Sequence, residues 1–420
     1  MRVLFAANPE KSIFQYQVAV AWALRTAGHE VRFASQPAFA STITQAGLTA
    51  VPVGRDRVQR RGARPEELEA TRAGYPEPYD AFDDPDRATW EFLKPGMLQA
   101  VHGWHRYDNF ALTAGLVEFA QAWQPDLVIW EPLTYAGAIA AKACGAAHAR
   151  LLFGIDVFGG VRQTYRRLNA AQPVSDQADP MADWLGSYGE RYGFDFSEDM
   201  VTGHFTIDQF PASLQVEAPG LHYVRTQFVP YGGPAVVPKW LWAKPERPRV
   251  ALTMGLSATE VYNGYTISMA EVLESLASLD IEVVATVTEK EQAKLPRQPD
   301  NVRLVPYVPW HALVPTCSVV IHHAGAATLG TTALHPVPQL ALHYHFDQPT
   351  LAHNLAEQGA GLEIHTTLAT GQKVRDSVQR LLTEPIFQER AEALTDEVRS
   401  SPSPNQLVPV LEELTSKFRA

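Results

Sequence analysis

Short, fully apolar runs alternate along the chain with longer stretches in which apolar residues recur at helical spacing. The first run, MRVLFAA, is followed by YQVAVAWALRTAG, which ends in the helix-stop residue Gly28, and then by the run HEVRFASQ. Apolar runs of this length are typical of strands buried on both faces of a parallel sheet, and their alternation with helices forms βαβ units. AFASTITQAG and LTAVPVG continue the rhythm. The pattern predicts an α/β fold.

The rhythm breaks over residues 55–110, which are polar and contain several Pro and Gly residues. This composition predicts a long excursion from the sheet with local helices. Strand, helix and strand patterns return at PDLVIWEP, TYAGAIAAKACG and AAHARLLFG, and residues 156–220 predict helices joined by loops.

A domain boundary is predicted in TQFVPYGGPAVVPKWLWAKPERPRV, which is rich in Pro and Gly and leads directly into a new apolar run, RVALTMG. Strand and helix patterns then alternate again to the end of the chain. We therefore expect two doubly wound parallel-sheet domains facing a cleft. The expected ranges are 1–225, 226–400, and a C-terminal helix within 401–420 that packs back toward the N-terminal domain. Ligands of such sheets bind beyond the carboxyl ends of the strands, so the cleft is the expected site.

Charge and composition exclude several classes of function. The 420 residues include 35 basic and 46 acidic side chains, a net charge of −11, which argues against nucleic-acid binding. No apolar stretch reaches the ~18 residues of a membrane span, and no basic segment followed by an apolar run opens the chain, so we expect neither a span nor a signal peptide. Cys144 and Cys317 lie in apolar stretches and are expected to be core thiols. A cytoplasmic protein is the expectation.

An anion site is predicted where the run CSVVI ends. His322 and His323 follow this run, and a helix is predicted to start near Ala326. A helix start exposes unpaired N–H groups and carries partial positive charge, and small residues such as Gly325 let a diphosphate approach the backbone. Thr328 offers a hydroxyl donor. The alternative interpretation is a tight strand-to-helix turn with a buried histidine pair.

A second polar pair, Asp347 and Gln348, follows the next predicted strand in YHFDQ. A carboxylate beside an amide suits the vicinal hydroxyls of a sugar. The alternative is a helix N-cap, because Asp before Pro349 is a common helix start. One residue is able to serve both purposes.

The run PYVPWHALVPTCSVVIHHAGAATLGTTALHPVPQLALHYHFDQ resembles the donor half of the nucleotide-sugar-dependent glycosyltransferases of natural-product pathways, which have the GT-B fold. The resemblance covers nearly the whole chain, and DLVIWEPLTYAGAIAAKACGAAHARLL and FVPYGGPAVVPKWL resemble the subgroup that attaches deoxysugars to polyketide aglycones. It implies a thymidine-diphosphate (TDP) deoxysugar in the C-terminal domain, a hydrophobic aglycone in the N-terminal domain, and inverting displacement that requires no metal or other cofactor.

The resemblance also assigns donor contacts residue by residue. Val308 and Leu313 are expected beside the nucleotide base. His323, Ala326 and Thr328 are expected at the diphosphate, in addition to Gly325. Asp347 and Gln348 are expected at the sugar. The sequence departs from the usual pattern at Ala324 and Ala327, where the family has Gly, and Gly or Pro. Both departures tighten the turn and remove no donor.

A larger departure concerns the general base. Many relatives place a His in the loop after the first strand, where this chain has Ile13, which cannot accept a proton. We predict acceptor contacts at Ile13, Phe14, Trp90 and Tyr135.

Four explanations for the missing base stay open. A carboxylate substitutes, with Glu131 after the strand DLVIW as first choice and Glu10 as second. The acceptor is an acidic phenol or an aromatic carbon, or it is an indole-type nitrogen. Otherwise, one of His102, His105 and His204 reaches the site. A non-catalytic partner protein with the same fold is the alternative of another class.

The sequence carries no strong metal signal. Asp84-Pro85-Asp86 is an isolated DxD string in the excursion, no Cys/His spacing indicates zinc, and no GxGxxG follows the first strand. Seven of the excursion's aromatic residues either line the acceptor pocket or, as the resembled subgroup implies, dock a cytochrome-like auxiliary activator protein. A homodimer stays open. The seven are Tyr75, Tyr79, Phe82, Trp90, Phe92, Trp104 and Tyr107.

Overall fold

The computed structural model describes residues 1–56, 72–255, 257–260, 262 and 264–419. The predicted excursion over 55–110 is therefore described only outside 57–71.

The N-terminal domain is built on a parallel sheet that, in the described residues, has seven strands. Their order is β3-β2-β1-β4-β5-β6-β7, so the chain reverses its direction of winding between β1 and β4. Phe5 of β1 pairs with Ile129 of β4 at this switch point. The strands are β1 (Arg2–Ala6), β2 (Glu30–Ser35), β3 (Ala50–Pro52), β4 (Leu127–Trp130), β5 (Ala147–Leu151), β6 (Phe205–Asp208) and β7 (Tyr223–Arg225).

The C-terminal domain contains a second parallel sheet, with six strands in the described residues, in the order β10-β9-β8-β11-β12-β13. Its switch point lies between β8 and β11, where Thr253 pairs with His322. The prediction of two doubly wound parallel-sheet domains is confirmed. The strands are β8 (Arg249–Thr253), β9 (Glu282–Thr286), β10 (Val302–Val305), β11 (Val319–His322), β12 (Gln339–His343) and β13 (Gly361–His365).

Helices cover both sheets, and a π-helical turn at Val101–His105 joins the helix Trp90–Ala100 to the helix Arg106–Trp123. They are α1 (Lys11–Thr26), α2 (Ala40–Gln45), α3 (Trp90–Ala100), α4 (Arg106–Trp123), α5 (Ala136–Cys144), α6 (Val157–Ala170), α7 (Pro180–Gly186), α8 (Gly189–Tyr192), α9 (Asp199–Thr202), α10 (Ser257–Glu260), α11 (Met269–Leu276), α12 (Glu289–Gln292), α13 (Trp310–Leu313), α14 (Ala326–Ala333), α15 (Gln348–Gln358), α16 (Gly371–Thr383), α17 (Pro385–Ser400) and α18 (Pro404–Phe418).

Helix α1 shows how the apolar pattern becomes packing. Its buried face includes Phe14, whose ring meets Phe33 and Phe39 edge-on at 5.3 and 5.6 Å between centroids. Burying one such ring stabilises the fold by about 1.5–3 kcal/mol. The helix ends at Thr26, and Gly28 follows with φ +92°, the left-handed conformation that glycine adopts without steric cost.

The last helix, α18, returns to the N-terminal domain. Leu407 and Leu411 belong to the same apolar core as Leu24 of α1, and the ring of Phe418 stacks on His204 at 4.7 Å. The backbone N–H of Gln227 donates to the Pro402 carbonyl at 2.7 Å, which anchors the crossing into α18. The end of the chain therefore ties the two domains together.

No helix in the described part of the chain combines the length and apolar character needed to cross a bilayer.

Candidate active site

The loop between β11 and α14 lies at the switch point of the C-terminal sheet. Its His323 ring fills the space between two glycines: an added Cβ at Gly255, beyond β8, would lie 2.6 Å from Cε1, and one at Gly325 would lie 2.2 Å from Nε2. Larger residues at either glycine would displace the ring. The two loops therefore form one surface, with the imidazole held beside the N-terminus of α14.

The two neighbouring histidines have different roles. His322 is fully buried, shares a hydrogen bond of 2.8 Å from Nε2 to the amide oxygen of Gln339, and accepts from the Ala324 N–H at Nδ1, 2.9 Å away. These bonds hold the loop in shape. His323 is half-buried, and its Nδ1 has no hydrogen-bond partner among the described residues. The anion-site interpretation therefore concerns His323, and the buried-histidine interpretation describes His322.

Desolvation lowers the pKa of His323 to about 4, so its ring is neutral at physiological pH. A neutral imidazole carries one N–H donor, which is what a phosphate oxygen needs. Thr328, in the first turn of α14, is half-buried, and Ala326 is 9% exposed. The geometry thus offers a ring donor and the free amides of a helix start at one place.

Ala324 adopts φ +61°, the left-handed region in which the resembled family has glycine. An L-residue there costs roughly 1–2 kcal/mol. Its methyl group packs in a small buried cluster with Ala341 and Ala352, which offsets part of this cost.

Asp347 and Gln348 stand where the sequence places them, after β12, at the start of α15. Gln348 accepts the backbone N–H groups of Tyr344 and His345 at 3.2 and 3.1 Å, and its side chain lines the same cavity as His323. Asp347 occupies the N-cap position, but its side chain does not cap α15. The N-cap interpretation is thus confirmed for the position of Asp347, and its carboxylate makes no capping hydrogen bond.

The carboxylate of Asp347 crosses the cleft instead. An added Cβ at Gly154, in the loop after β5, would lie only 2.1 Å from Oδ2, and the Ile155 N–H donates to the same oxygen at 3.4 Å. Desolvation raises the pKa of Asp347 to about 7. Loops at the carboxyl ends of both sheets meet here.

Val308 and Leu313 lie behind this site. They are 3% and 0% exposed and belong to the apolar core that contains Val320 of β11. Their side chains pack in the core behind the loop between β11 and α14, and they do not line the cavity that contains His323. Contact with a nucleotide base stays a prediction.

Glu131 directly follows β4 at the switch point of the N-terminal sheet, and it has no exposed surface. It accepts hydrogen bonds from the backbone N–H groups of Asn8 and Leu133, at 3.1 and 2.8 Å, and from the hydroxyl of Thr134. Burial raises its pKa to about 7, as desolvation by the apolar strand predicts. The carboxylate has a pKa suited to a base and also links the loops after β1 and β4.

The loop after β1 contains the other predicted acceptor-side residues. Glu10 is exposed and accepts the Ser12 hydroxyl at 2.6 Å. Ile13 is 4% exposed in the first turn of α1, and Phe14 is 1% exposed within the core. Acceptor contacts at Ile13 and Phe14 stay predictions, and the ring of Phe14 reaches the cleft only if its packing changes.

Most aromatic residues of the excursion pack inward. Trp90 donates from Nε1 to Asp176 at 2.7 Å, and Tyr135 meets the rings of His105 and Trp184 at 5.3 and 5.5 Å. Tyr79 is 2% exposed. Contact of Trp90 or Tyr135 with an acceptor stays a prediction. The exceptions are Tyr107 and Phe110 of α4, which are 52% and 79% exposed.

None of the three alternative histidines stands at the end of a strand facing the cleft. His102 is exposed, and His105 is fully buried with Nε2 2.5 Å from the Tyr79 hydroxyl. His204 precedes β6, at the amino edge of the sheet, opposite the cleft. The topology of the N-terminal sheet therefore separates His204 from the acceptor side.

Two groups of residues that resemble metal-binding sites already have hydrogen-bond or ionic partners. Asp84 caps a 3₁₀ turn by accepting the Asp86 N–H at 3.1 Å. His148 and His204 gather around Asp199 in the described part of the chain, but the Lys142 ammonium lies 2.7 Å from the same carboxylate oxygen. A cation already balances that charge.

Sequence reasoning missed Arg72, which enters the cavity beside His323 and Gln348 from the excursion of the other domain. It also missed Gly255, whose lack of a Cβ makes room for the His323 ring. A lone Arg in a polar segment carries no local signal of a site.

Known proteins match the chain along its length. Residues 22–255 match the N-terminal domain of the family described as erythromycin biosynthesis protein CIII-like, and residues 270–414 match its C-terminal domain. The chain is 44% identical to 10-deoxymethynolide desosaminyltransferase of Streptomyces venezuelae, over 100% of this chain and 98% of that protein. It is 42% identical to the TDP-daunosamine transferase of Streptomyces peucetius, over 100% and 98%.

Solved structures agree with the fold. The glycosyltransferase VinC in complex with dTDP superposes with a TM-score of 0.89 at 37% identity, covering 99% of this chain and 100% of that one. The spinosyn forosaminyltransferase SpnP has a TM-score of 0.82 at 36% identity, covering 99% of each chain. The chain therefore belongs to the erythromycin biosynthesis protein CIII-like family and is a glycosyltransferase with the GT-B fold.

Proposed function

We propose that this glycosyltransferase moves a deoxysugar from a TDP-sugar to a hydrophobic polyketide aglycone with inversion at the anomeric carbon. The observation that carries the proposal is the His323 ring, held between Gly255 and Gly325 beside the N-terminus of α14. This arrangement suits a diphosphate, and the names of the relatives, a desosaminyltransferase and a TDP-daunosamine transferase, supply the sugar class.

The donor half of the site works without a metal ion. The helix start provides N–H groups and partial positive charge, and neutral His323 and the Thr328 hydroxyl add side-chain donors. Asp347 and Gln348 bind sugar hydroxyls at the edge facing the other domain. A chelator should therefore leave TDP binding unchanged.

The reaction is a single displacement. The acceptor oxygen attacks the anomeric carbon, the bond from that carbon to the β-phosphate oxygen breaks, TDP leaves with the bonding electrons, and the acceptor proton passes to a base. Glu131 is the first choice for that base, because burial brings its pKa to about 7. Its three hydrogen bonds must loosen before it takes a proton. Glu10 is the second choice, being exposed at the start of α1.

Two other acceptor types need less help from the protein. An aromatic carbon or an indole-type nitrogen attacks without a strong base. Ile13, at the position of the usual histidine, is equally compatible with these two acceptors and with an acidic phenol.

A cavity of about 200 Å³ lies between the excursion and α6. It is lined by Phe82, Leu93 and Val161, among others, and is an apolar space for part of an aglycone.

An auxiliary protein has an exposed apolar surface available to it. Leu98, Tyr107 and Phe110 on α3 and α4 are 50%, 52% and 79% exposed. Tyr107 and Phe110 are three residues apart on α4 and share one face of that helix, and contiguous exposed apolar side chains are typical of interaction sites. We propose that a cytochrome-like activator docks here. Phe110→Ala should abolish activation by such a protein and leave TDP binding unchanged, and a homodimer through this surface would appear as a Phe110-dependent change in mass by light scattering.

The deciding experiment incubates the purified chain with TDP-deoxysugars and polyketide aglycones, with and without the activator, and measures glycoside and TDP by mass spectrometry. Inversion is read from the anomeric proton coupling of the product. Glycoside that forms only with this chain present supports the proposal. TDP binding with no transfer to any aglycone, even with the activator, would instead indicate a non-catalytic partner protein, the alternative that Ile13 favours.

A further inference from the structure

A segment of the acceptor domain crosses the cleft and pairs with the donor domain. In this crossing segment, residues 72–75, the Gly74 N–H donates to the Tyr344 carbonyl at 2.8 Å and the Gly74 carbonyl accepts the Phe346 N–H at 3.0 Å. His345 donates from Nδ1 to the Arg72 carbonyl at 2.8 Å. Three backbone-directed hydrogen bonds therefore fix this segment directly beside Asp347 and Gln348.

The crossing segment places a guanidinium group inside the donor cavity. Arg72 is 6% exposed, donates from Nη2 to the Gly264 carbonyl at 2.9 Å, and lies 4.6 Å from the ring centroid of Tyr262 and 5.8 Å from that of Tyr344. The cavity that it lines also contains His323 and Gln348. Aromatic faces and a carbonyl orient the fork of the side chain.

Arg72 is the one permanently charged side chain among the described residues that line this cavity. The two histidines there do not add charge, because burial lowers the pKa of His323 to about 4 and also lowers the pKa of His345. Arginine remains protonated at every physiological pH. Among the described residues that line this cavity, the permanent positive charge therefore belongs to Arg72.

We infer that Arg72 is a donor-binding residue supplied by the acceptor domain, and that its guanidinium is the counter-charge for the pyrophosphate of the nucleotide sugar. The inference rests on the proposed function. A buried pyrophosphate needs a full positive charge nearby, and a helix N-terminus carries only about half of one. A guanidinium group binds a phosphate through two parallel N–H···O hydrogen bonds. Negative charge on the departing TDP grows as the glycosidic bond breaks, so Arg72 also stabilises the leaving group.

Entry of a donor requires this cavity to rearrange. The space left between the lining side chains is about 30 Å³, much smaller than a nucleotide sugar, so lining side chains or the crossing segment must shift when a donor enters. A guanidinium that only plugged the cavity would compete with the donor, and its removal would tighten binding. A guanidinium that binds the pyrophosphate gives the opposite result.

The test measures affinity of the full chain for TDP and for uncharged thymidine by calorimetry, in wild type, Arg72→Ala and Arg72→Lys. Arg87→Ala is the matched control, since Arg87 lies in the same excursion and pairs with Asp80 and Asp84. We expect Arg72→Ala to weaken TDP binding about tenfold or more while thymidine binding changes little, Arg72→Lys to recover part of the loss, and Arg87→Ala to match wild type.

TDP affinity that is unchanged or tighter in Arg72→Ala would overturn the inference, and so would an equal loss for TDP and thymidine, which would indicate a structural role. Thermal unfolding of each variant shows whether the fold is retained, and Arg72→Lys keeps the test decisive if the alanine variant is unstable. Absence of TDP binding by the wild type would overturn the proposed function itself, and this inference with it.

Discussion

The carboxylate of Asp347, in the C-terminal domain, lies across the cleft against the backbone of Ile155, in the N-terminal domain, with 3.4 Å between Oδ2 and N. The contact is weak for a hydrogen bond, and burial leaves the charged carboxylate poorly solvated. The same residue is a proposed sugar ligand. The charge of this buried carboxylate is therefore costly when no donor is bound. Hydroxyl groups of a bound sugar would donate hydrogen bonds to it at this position.

Asp347 should make stability fall as pH rises. Its pKa in the folded protein is about 7, above the ordinary 3.8, so the folded state keeps a proton that the unfolded chain loses. Stability then decreases between pH ~4 and ~7 and stays reduced above pH 7. Asp347→Asn removes this penalty and should stabilise the protein by roughly 1–3 kcal/mol at pH 8 but hardly at pH 4. Urea unfolding at both pH values measures it; an equal effect at both would contradict the assignment.

His323→Ala should weaken TDP binding by about 1–3 kcal/mol through loss of one donor to a charged phosphate. Because the ring is neutral above its pKa of about 4, the contribution of His323 should be the same at pH 7 and pH 9. Calorimetry of wild type and variant at both pH values measures the difference. His335→Ala, beyond the other end of α14, is the control. A contribution that disappears at pH 9 would mean that the ring is protonated when the donor binds.

Glu131→Gln should reduce turnover by ~10²–10⁴ and leave TDP affinity nearly unchanged if Glu131 is the base. Thr134→Val is the matched control, because it removes one hydrogen bond to the carboxylate and keeps its charge. Single-turnover rates with saturating donor separate the two variants. A comparable loss in Thr134→Val would show that Glu131 positions the loops after β1 and β4 and does not take the proton.

Ile13→His should accelerate transfer to alcohol acceptors by about tenfold or more, provided that the loop after β1 keeps the geometry of its relatives. The site is 4% exposed, so the imidazole must be neutral to be accommodated. Ile13→Gln controls for polarity without a base. Rates across phenols of graded pKa measure acceptor activation. If the wild-type rate tracks phenol acidity and Ile13→His does not change it, the acceptor activates itself.

Ala324→Gly should have little effect on stability. Release of left-handed strain gains roughly 1–2 kcal/mol, whereas the lost methyl burial costs about 0.8 and the added freedom of glycine about 0.5–1 kcal/mol. These terms nearly cancel. Ala324→Val, whose branched side chain does not tolerate positive φ, should be clearly destabilising in urea unfolding. Equal stability of the valine variant would mean that the backbone does not hold this conformation.

The sequence by itself determined the two parallel sheets and the strand-loop-helix around His323, because these follow from hydrophobic periodicity and from small residues at a turn. Tertiary structure decided which loop side chains face the cleft. It turned the carboxylate of Glu131 inward onto the Asn8 amide, aimed Asp347 across at Ile155, and brought Arg72 to Tyr344 from more than half the chain away. These placements depend on how distant elements pack, and the period of a local apolar pattern carries no information about that packing.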